Sequence, residues 1–214
     1  MKLSDIEQRL LAHSPYMEPD GQLPDRQAAV AVVLRLKPAA ATEILFIRRA
    51  VKEGDPWSGH MAFPGGHKET KDDSLLDAAI RETWEEVGID LRANASLIGA
   101  LEPVRPTLGG PSGRTGMLVA PFVFSLQKPV QASPNYEVAE VVWTPLHPIL
   151  QARNHVEEAR LVEGNPRYFS GYQLGDGKFV WGLTYRMLHN LFERIDPDWR
   201  PPPTPDDNTD SIKD

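Results

Sequence analysis

Two kinds of hydrophobic pattern run along the chain. Leu3, Ile6, Leu10 and Leu11 recur at helical spacing and predict a short amphipathic helix over Leu3–Leu11. Nearly continuous apolar runs at Ala28–Leu36 and Glu43–Arg48, joined by Lys37-Pro38-Ala39-Ala40, predict two buried strands. Ser14–Arg26, rich in Pro, Gly and Asp, reads as a loop. Pro56, Gly59, Pro64, Gly65 and Gly66 punctuate the next stretch, with short β segments expected around His60–Phe63 and a Gly-Gly turn after them. Ser74–Val87 is the clearest helix. Ser74 and Asp77 fit a capping box, Gly88 supplies the stop, and Leu76, Ala79, Ile80, Thr83 and Val87 form the expected inner stripe.

Strands resume at Ser96–Leu101, Met117–Leu126 and Val138–Thr144, and Pro121 points to an edge or a bulge in the second of them. Arg167–Leu174 and Lys178–Val180 predict a hairpin that turns at Gly175-Asp176-Gly177. Val180–Ile195 reads as a second long helix, with Leu183, Met187, Leu188 and Leu191 inward. Trp143 and Trp181 read as core residues. Mixed strands flanked by two main helices indicate an α/β (α+β) sandwich. The expected division is an N-terminal helix and loop over 1–27, a main domain over 28–195 and a disordered acidic, Pro-rich tail over 196–214.

Composition narrows the function. The 214 residues include 41% hydrophobic and 25% charged side chains, an ordinary globular balance. Thirty acidic against 23 basic side chains give a net charge of −7, which argues against nucleic acid or an anionic membrane as a partner. The absence of cysteine removes disulfides, zinc–thiolate sites and thiolate nucleophiles, and fits a reducing compartment. Met1–Leu11 lacks the apolar core of a secretory signal and no run approaches a membrane span, so a cytoplasmic location is expected.

The charge is unevenly placed. Lys68–Asp90 holds eight acidic and three basic side chains, a net of −5, and Asp196–Asp214 holds six and two, a net of −4. The remainder is therefore slightly basic. Within the acidic stretch Glu82, Glu85 and Glu86 stand at i, i+3 and i+4, on one face of the predicted helix. Like charges at that spacing repel, and no lysine separates them. A carboxylate-only cluster beside a Gly-Gly turn suits a hard divalent cation such as Mg²⁺ or Mn²⁺. Asp72 and Asp73 sit at the helix entrance, within reach of Arg81 as an ion-pair partner.

This stretch resembles the Nudix box, G-x5-E-x7-R-E-U-x-E-E-x-G-U with U aliphatic. Arg81-Glu82-Thr83-Trp84-Glu85-Glu86-Val87-Gly88-Ile89 matches its right half, with Thr83 in an aliphatic position. The left half is one residue longer than standard. Phe63-Pro64-Gly65-Gly66, followed by Asp72 and by Arg81-Glu82, resembles the spacing of the coenzyme A diphosphatase branch. Gly59-His60-Met61-Ala62, the segment around Glu137–Leu146, and Val180–Thr184 as the start of the last helix extend the resemblance from about Ala28 to Arg194. That branch carries a basic residue and a His where this chain has Asp55 and Trp57.

The resemblance implies a Nudix-type α/β/α fold with a mixed sheet, and hydrolysis of a nucleoside diphosphate linked to another moiety. It implies Glu82, Glu85, Glu86 and the Gly66 carbonyl as metal ligands, with Mg²⁺ or Mn²⁺ bridging them to the diphosphate. Arg81 orients the glutamates. One of the box glutamates, or Glu137 or Glu140 after the Pro134-Asn135 loop, is the general base. Arg48, Trp57, His60 and Gly65 are the expected substrate contacts, Arg48 together with Arg49 standing in for the missing basic residue. His67, Arg105, Arg114 and Lys128 are further basic groups available to phosphate. Coenzyme A or acyl-coenzyme A is the expected substrate, with ADP-ribose, a sugar nucleotide or a dinucleotide as the alternative. A non-catalytic ligand sensor is disfavoured by the intact glutamates. A homodimer remains open.

Overall fold

A computed structural model describes residues 1–12, 24, 26–37, 41–55, 57–106, 116–162 and 165–203. The Lys37–Ala40 connection apart from Lys37, most of the Ser14–Arg26 loop, Arg114 and the chain beyond Pro203 lie outside the described residues.

The elements are α1 (Leu3–Leu11), β1 (Arg26–Lys37), β2 (Ala41–Arg49), β3 (Met61–Ala62), β4 (Gly65–His67), α2 (Leu75–Val87), α3 (Leu91–Asn94) and β5 (Ala95–Ala100). They continue as β6 (Met117–Leu126), β7 (Val138–Pro145), α4 (Leu146–Leu150), β8 (His155–Val162), β9 (Asn165–Gln173), β10 (Phe179–Trp181) and α5 (Gly182–Ile195). A mixed sheet runs β3-β2-β1-β6-β5, with β4 added to β1 and β7 to β2. β1 is antiparallel to β2 and parallel to β6. A second, antiparallel sheet is built from β10, β9 and β8.

The continuous apolar runs of β1 and β2 are explained by burial on both faces. Val30, Val32 and Leu34 of β1 join Ile44 and Phe46 of β2 in one core cluster, closed by α1 and α5. The alternate residues Ala29, Ala31, Val33, Leu45 and Ile47 join a second cluster, closed by α2. The result is an α/β/α sandwich.

Several expectations need correction. Gly65-Gly66 is strand rather than turn, paired with Ala29 and Val30 of β1. The inner stripe of α2 is rotated toward Leu75, Ala78 and Glu86, while Leu76 and Ile80 are only half-buried. Pro121 lies in an inner strand, not at an edge. Its carbonyl faces the β5 side, where it accepts from Leu101 N–H at 2.9 Å. The missing proline donor would point the same way, beyond the last β5 pair at Ala100–Phe122, so no ladder bond is lost. α5 starts at Gly182, because Val180 and Trp181 belong to β10. β8, α3 and α4 are additional elements. The chain stays packed past 196, since Trp199 is buried and its indole N–H donates to Leu150 O at 3.1 Å. Leu3, Ile6 and Leu10 are buried in the first cluster, so α1 is part of the same core. No helix among the described residues is long and apolar enough to cross a membrane.

Candidate active site

α2 carries the acidic groups, and its position follows from local sequence. Ser74 caps its start, accepting from Asp77 N–H at 3.1 Å, and left-handed Gly88 (φ 67°) ends it. Its last carbonyls are taken by the loop ahead of β7, where Ser133 N–H reaches Val87 O at 2.8 Å and Asn135 N–H reaches Glu86 O at 2.9 Å. That docking brings Glu137 to the same end of the helix.

β4 lies against α2 at atomic contact. A Cβ on Gly65 would fall 2.2 Å from Ala29 O, and one on Gly66 would fall 2.5 Å from the Glu82 carboxyl carbon. Only glycine fits at 65, where the contact is with backbone and φ is 153°, while a side chain at 66 would push the Glu82 carboxylate out of its place. Gly65 N–H donates to Glu86 Oε2 at 2.8 Å. Glu86 is 3% exposed. Burial pushes its carboxyl up to about 8 against the lowering effect of the Gly65 bond, and the negative Glu82 and Glu137 push the same way. Burial also raises Glu82, although Arg81 opposes it.

Arg81 is the hub beneath these carboxylates. Its Nε and Nη2 grip both oxygens of Asp72, each at 2.9 Å, and Nη2 also donates to His67 O at 3.0 Å. Its Nη1 reaches Glu82 Oε1 at 2.9 Å and Glu85 Oε2 at 3.0 Å. Asp72 is buried and held well below the usual carboxylate range by this guanidinium. Asp73, the other carboxylate at the helix entrance, is exposed.

A cleft of about 1370 Å³ opens over β4. Gly65, Gly66, Trp57, His60, His67 and Glu137 line it. Arg48 does not. On β2 it faces the opposite way and pairs with Glu140 at 3.7 Å, while the next residue, Arg49, lines the cleft and pairs with Asp55 at 2.8 Å. Glu140 also meets Lys178 at 3.2 Å, away from the cleft. Glu85 is largely exposed and turned to Arg81 and Lys71. Lys128 reaches toward Ala93 O, remote from the site. Arg105 is exposed and does not line the cleft.

Trp181 is not core. Its ring lies 4.8 Å from His60 and 4.7 Å from Phe169, on the cleft wall. Trp143 is half-buried under the Arg35 guanidinium, 3.9 Å from the ring centre. Burial lowers the His60 imidazole and Arg160 adds to that, while Asp55 opposes it.

Arg160, Arg167 and Tyr136 also line the cleft and were not anticipated. The sequence signal for the first two was the Glu163-Gly164-Asn165 segment between two β-prone runs, a hairpin pattern that brings β8 and β9 together.

Among the described residues no three acidic or imidazole side chains converge as a metal cage, because Glu82 and Glu85 are drawn to Arg81. The donor chemistry nonetheless fits a divalent cation. Glu86 is buried and Glu82 half-buried, both carboxyls are pushed up, the Glu82 charge adds to the shift of Glu86, and a hard cation is the group that relieves such a pair.

Comparison with known proteins agrees. The NUDIX domain model matches residues 25–164. The Nudix hydrolase NudL of Pectobacterium atrosepticum, itself uncharacterized, is 32% identical over 79% of this chain and 83% of its own. An uncharacterized protein of Schizosaccharomyces pombe is 33% identical over 75% of this chain, and the match spans 55% of the yeast protein's length. A MutT/nudix family protein from Enterococcus faecalis shares the fold at a TM-score of 0.54 and 17% identity, covering 84% of this chain and 65% of that one. The chain belongs to the Nudix family, hydrolases that act on pyrophosphate bonds.

Proposed function

We propose that the protein is a Mg²⁺- or Mn²⁺-dependent diphosphatase that cleaves coenzyme A or acyl-coenzyme A to 3′,5′-ADP and a phosphopantetheine. The observation that carries the reaction type is that Glu82 and Glu86 lie against Gly66 and Gly65, which together with Glu137 line a cleft large enough for a nucleotide. The Phe63-Pro64-Gly65-Gly66 spacing to Asp72 and Arg81 supports the coenzyme A branch.

Glu82, Glu86 and the Gly66 carbonyl would hold the cation, with Glu85 joining them once released from Arg81. A cation held there would neutralise diphosphate charge and lower the pKa of the attacking water. Arg81, anchored on Asp72, is a positioning residue that fixes the carboxylate rotamers. Gly65 N–H holds Glu86 in place. Glu137, at the cleft wall beside the β7 loop, takes the proton from the attacking water, and His60 and Trp57 contact the nucleotide. Of the two arginines ending β2, Arg49 rather than Arg48 faces the substrate.

ADP-ribose is the second reading. It is favoured by Asp55, a carboxylate that engages Arg49 where a basic residue would suit a further phosphate. The test incubates the protein with Mg²⁺ or Mn²⁺ and coenzyme A, ADP-ribose, sugar nucleotides and dinucleotides, and identifies products by chromatography. 3′,5′-ADP from coenzyme A is expected. Turnover of ADP-ribose with coenzyme A untouched would overturn the substrate assignment.

A further inference from the structure

Arg160 and Arg167 are register partners across β8 and β9, and both face the cleft. Two like charges directly opposite each other destabilise a ladder unless something sits between them. Arg160 is braced, its guanidinium 5.3 Å from the Phe179 ring centre and 5.6 Å from that of Trp181. It gives Nη2 to Glu158 Oε2 at 2.8 Å, but its buried Nε has no partner. Arg167 is exposed and has no hydrogen-bond or ion-pair partner among the described residues. His60, which lines the cleft with them, feels Arg160 electrostatically, so the two arginines place positive charge on the wall formed by β8 and β9.

The cleft is thus bipolar. A ligand whose charge resides only in a diphosphate over Gly65-Gly66 and beside Glu137 leaves the arginine wall unanswered. We propose that Arg160 and Arg167 form a second anion subsite, which takes a phosphomonoester carried by the same substrate at a distance from its diphosphate. A dianionic monoester matches two guanidinium forks that already face one another. The subsite rests on the reading that a nucleotide occupies this cleft. It also supplies, from a different part of the chain, the basic groups that Asp55 and Trp57 do not provide.

The test compares 3′,5′-ADP with AMP, which differ by one phosphomonoester, by calorimetry on the whole protein in chelator, so that hydrolysis plays no part. The native protein is expected to bind 3′,5′-ADP at least ten times more tightly than AMP. Arg167→Gln, a change at an exposed side chain, should remove most of that preference, and Arg160→Gln with Arg167→Gln should remove it altogether. Equal affinity of the native protein for the two nucleotides, or a preference that survives in the double variant, overturns the subsite. The substrate proposal fails separately. Should the preference be present while coenzyme A is not cleaved, the subsite stands and the assigned substrate falls. Should coenzyme A be cleaved while 3′,5′-ADP and AMP bind alike, the reverse holds.

Discussion

α2 and α5 cover opposite faces of one sheet and use their inner faces differently. α5 lays Met187, Leu188, Leu191, Phe192 and Ile195 into the first core cluster. α2 contributes mainly Leu75, two alanines and Val87 to the second cluster, and buries a carboxylate, Glu86, in line with them. A buried carboxylate costs several kcal/mol unless it is neutralised or paired. Glu86 has a single backbone donor and a pKa pushed up to about 8. α5 therefore stabilises the fold, while α2 holds a destabilised carboxylate that the proposed cation would neutralise.

Substitutions should separate the two helices, and the largest effect belongs to α2. Glu86→Gln keeps an oxygen for Gly65 N–H and removes the charge. It is expected to lower turnover by at least about 10³-fold, or about 4 kcal/mol of transition-state stabilisation. Its thermal midpoint should stay level or rise, read by calorimetry without metal. Wild-type-like turnover would remove Glu86 from the ligand set.

The mirror experiment is Leu191→Ala in α5, a fully buried side chain. Denaturant unfolding should show a loss of about 2–5 kcal/mol, with activity per folded molecule retained. Equal damage to turnover would break the contrast between the helices. Asp72→Asn lies between these cases. It leaves Arg81 without the carboxylate that both Nε and Nη2 grip, and should cost about 3 kcal/mol of stability as well as much of the activity. Loss of stability alone would leave Arg81 without a positioning role.

The smallest effect is pH-dependent and belongs to the α5 side. His189 packs against Tyr172, Tyr185 and Trp199, and burial, aided by His155, pushes it down to about 4. Its neutral form is the one the fold accepts. The stability it supports is full above about 6.5 and is lost as pH falls from there toward 4. Urea midpoints followed by tryptophan fluorescence should decline over that window in the native protein and less in His189→Gln. Identical pH profiles would move the effect elsewhere.

Much of this organisation was legible in the chain. The period of α1, the apolar runs of β1 and β2, the Ser74 cap and the Gly88 stop are local signals, and each appears in the structure at or within a few residues of its expected place. Glu82, Glu85 and Glu86 were legible as one helical face because helix geometry fixes i, i+3 and i+4. Which of them is buried was not. That depends on how α2 rolls against β4, where two glycines admit Glu82 and Glu86 while Glu85 stays outside.

Strand alternation explains the choice between Arg48 and Arg49. The sequence places both at the end of β2, but only the pairing of β2 with β3 and β7 decides which face looks into the cleft. Pro121 misled because its missing donor matters only on the side where a neighbour still pairs. Arg160 and Arg167 carry no motif, since they become neighbours only when β8 and β9 close in register. The sequence alone determined the two long helices, most of the strands, the carboxylate face and the family, because these rest on residues close together in the chain. The burial of Glu86, the docking of Glu137 and the opposed arginines were decided by tertiary structure, because they depend on contacts between distant segments.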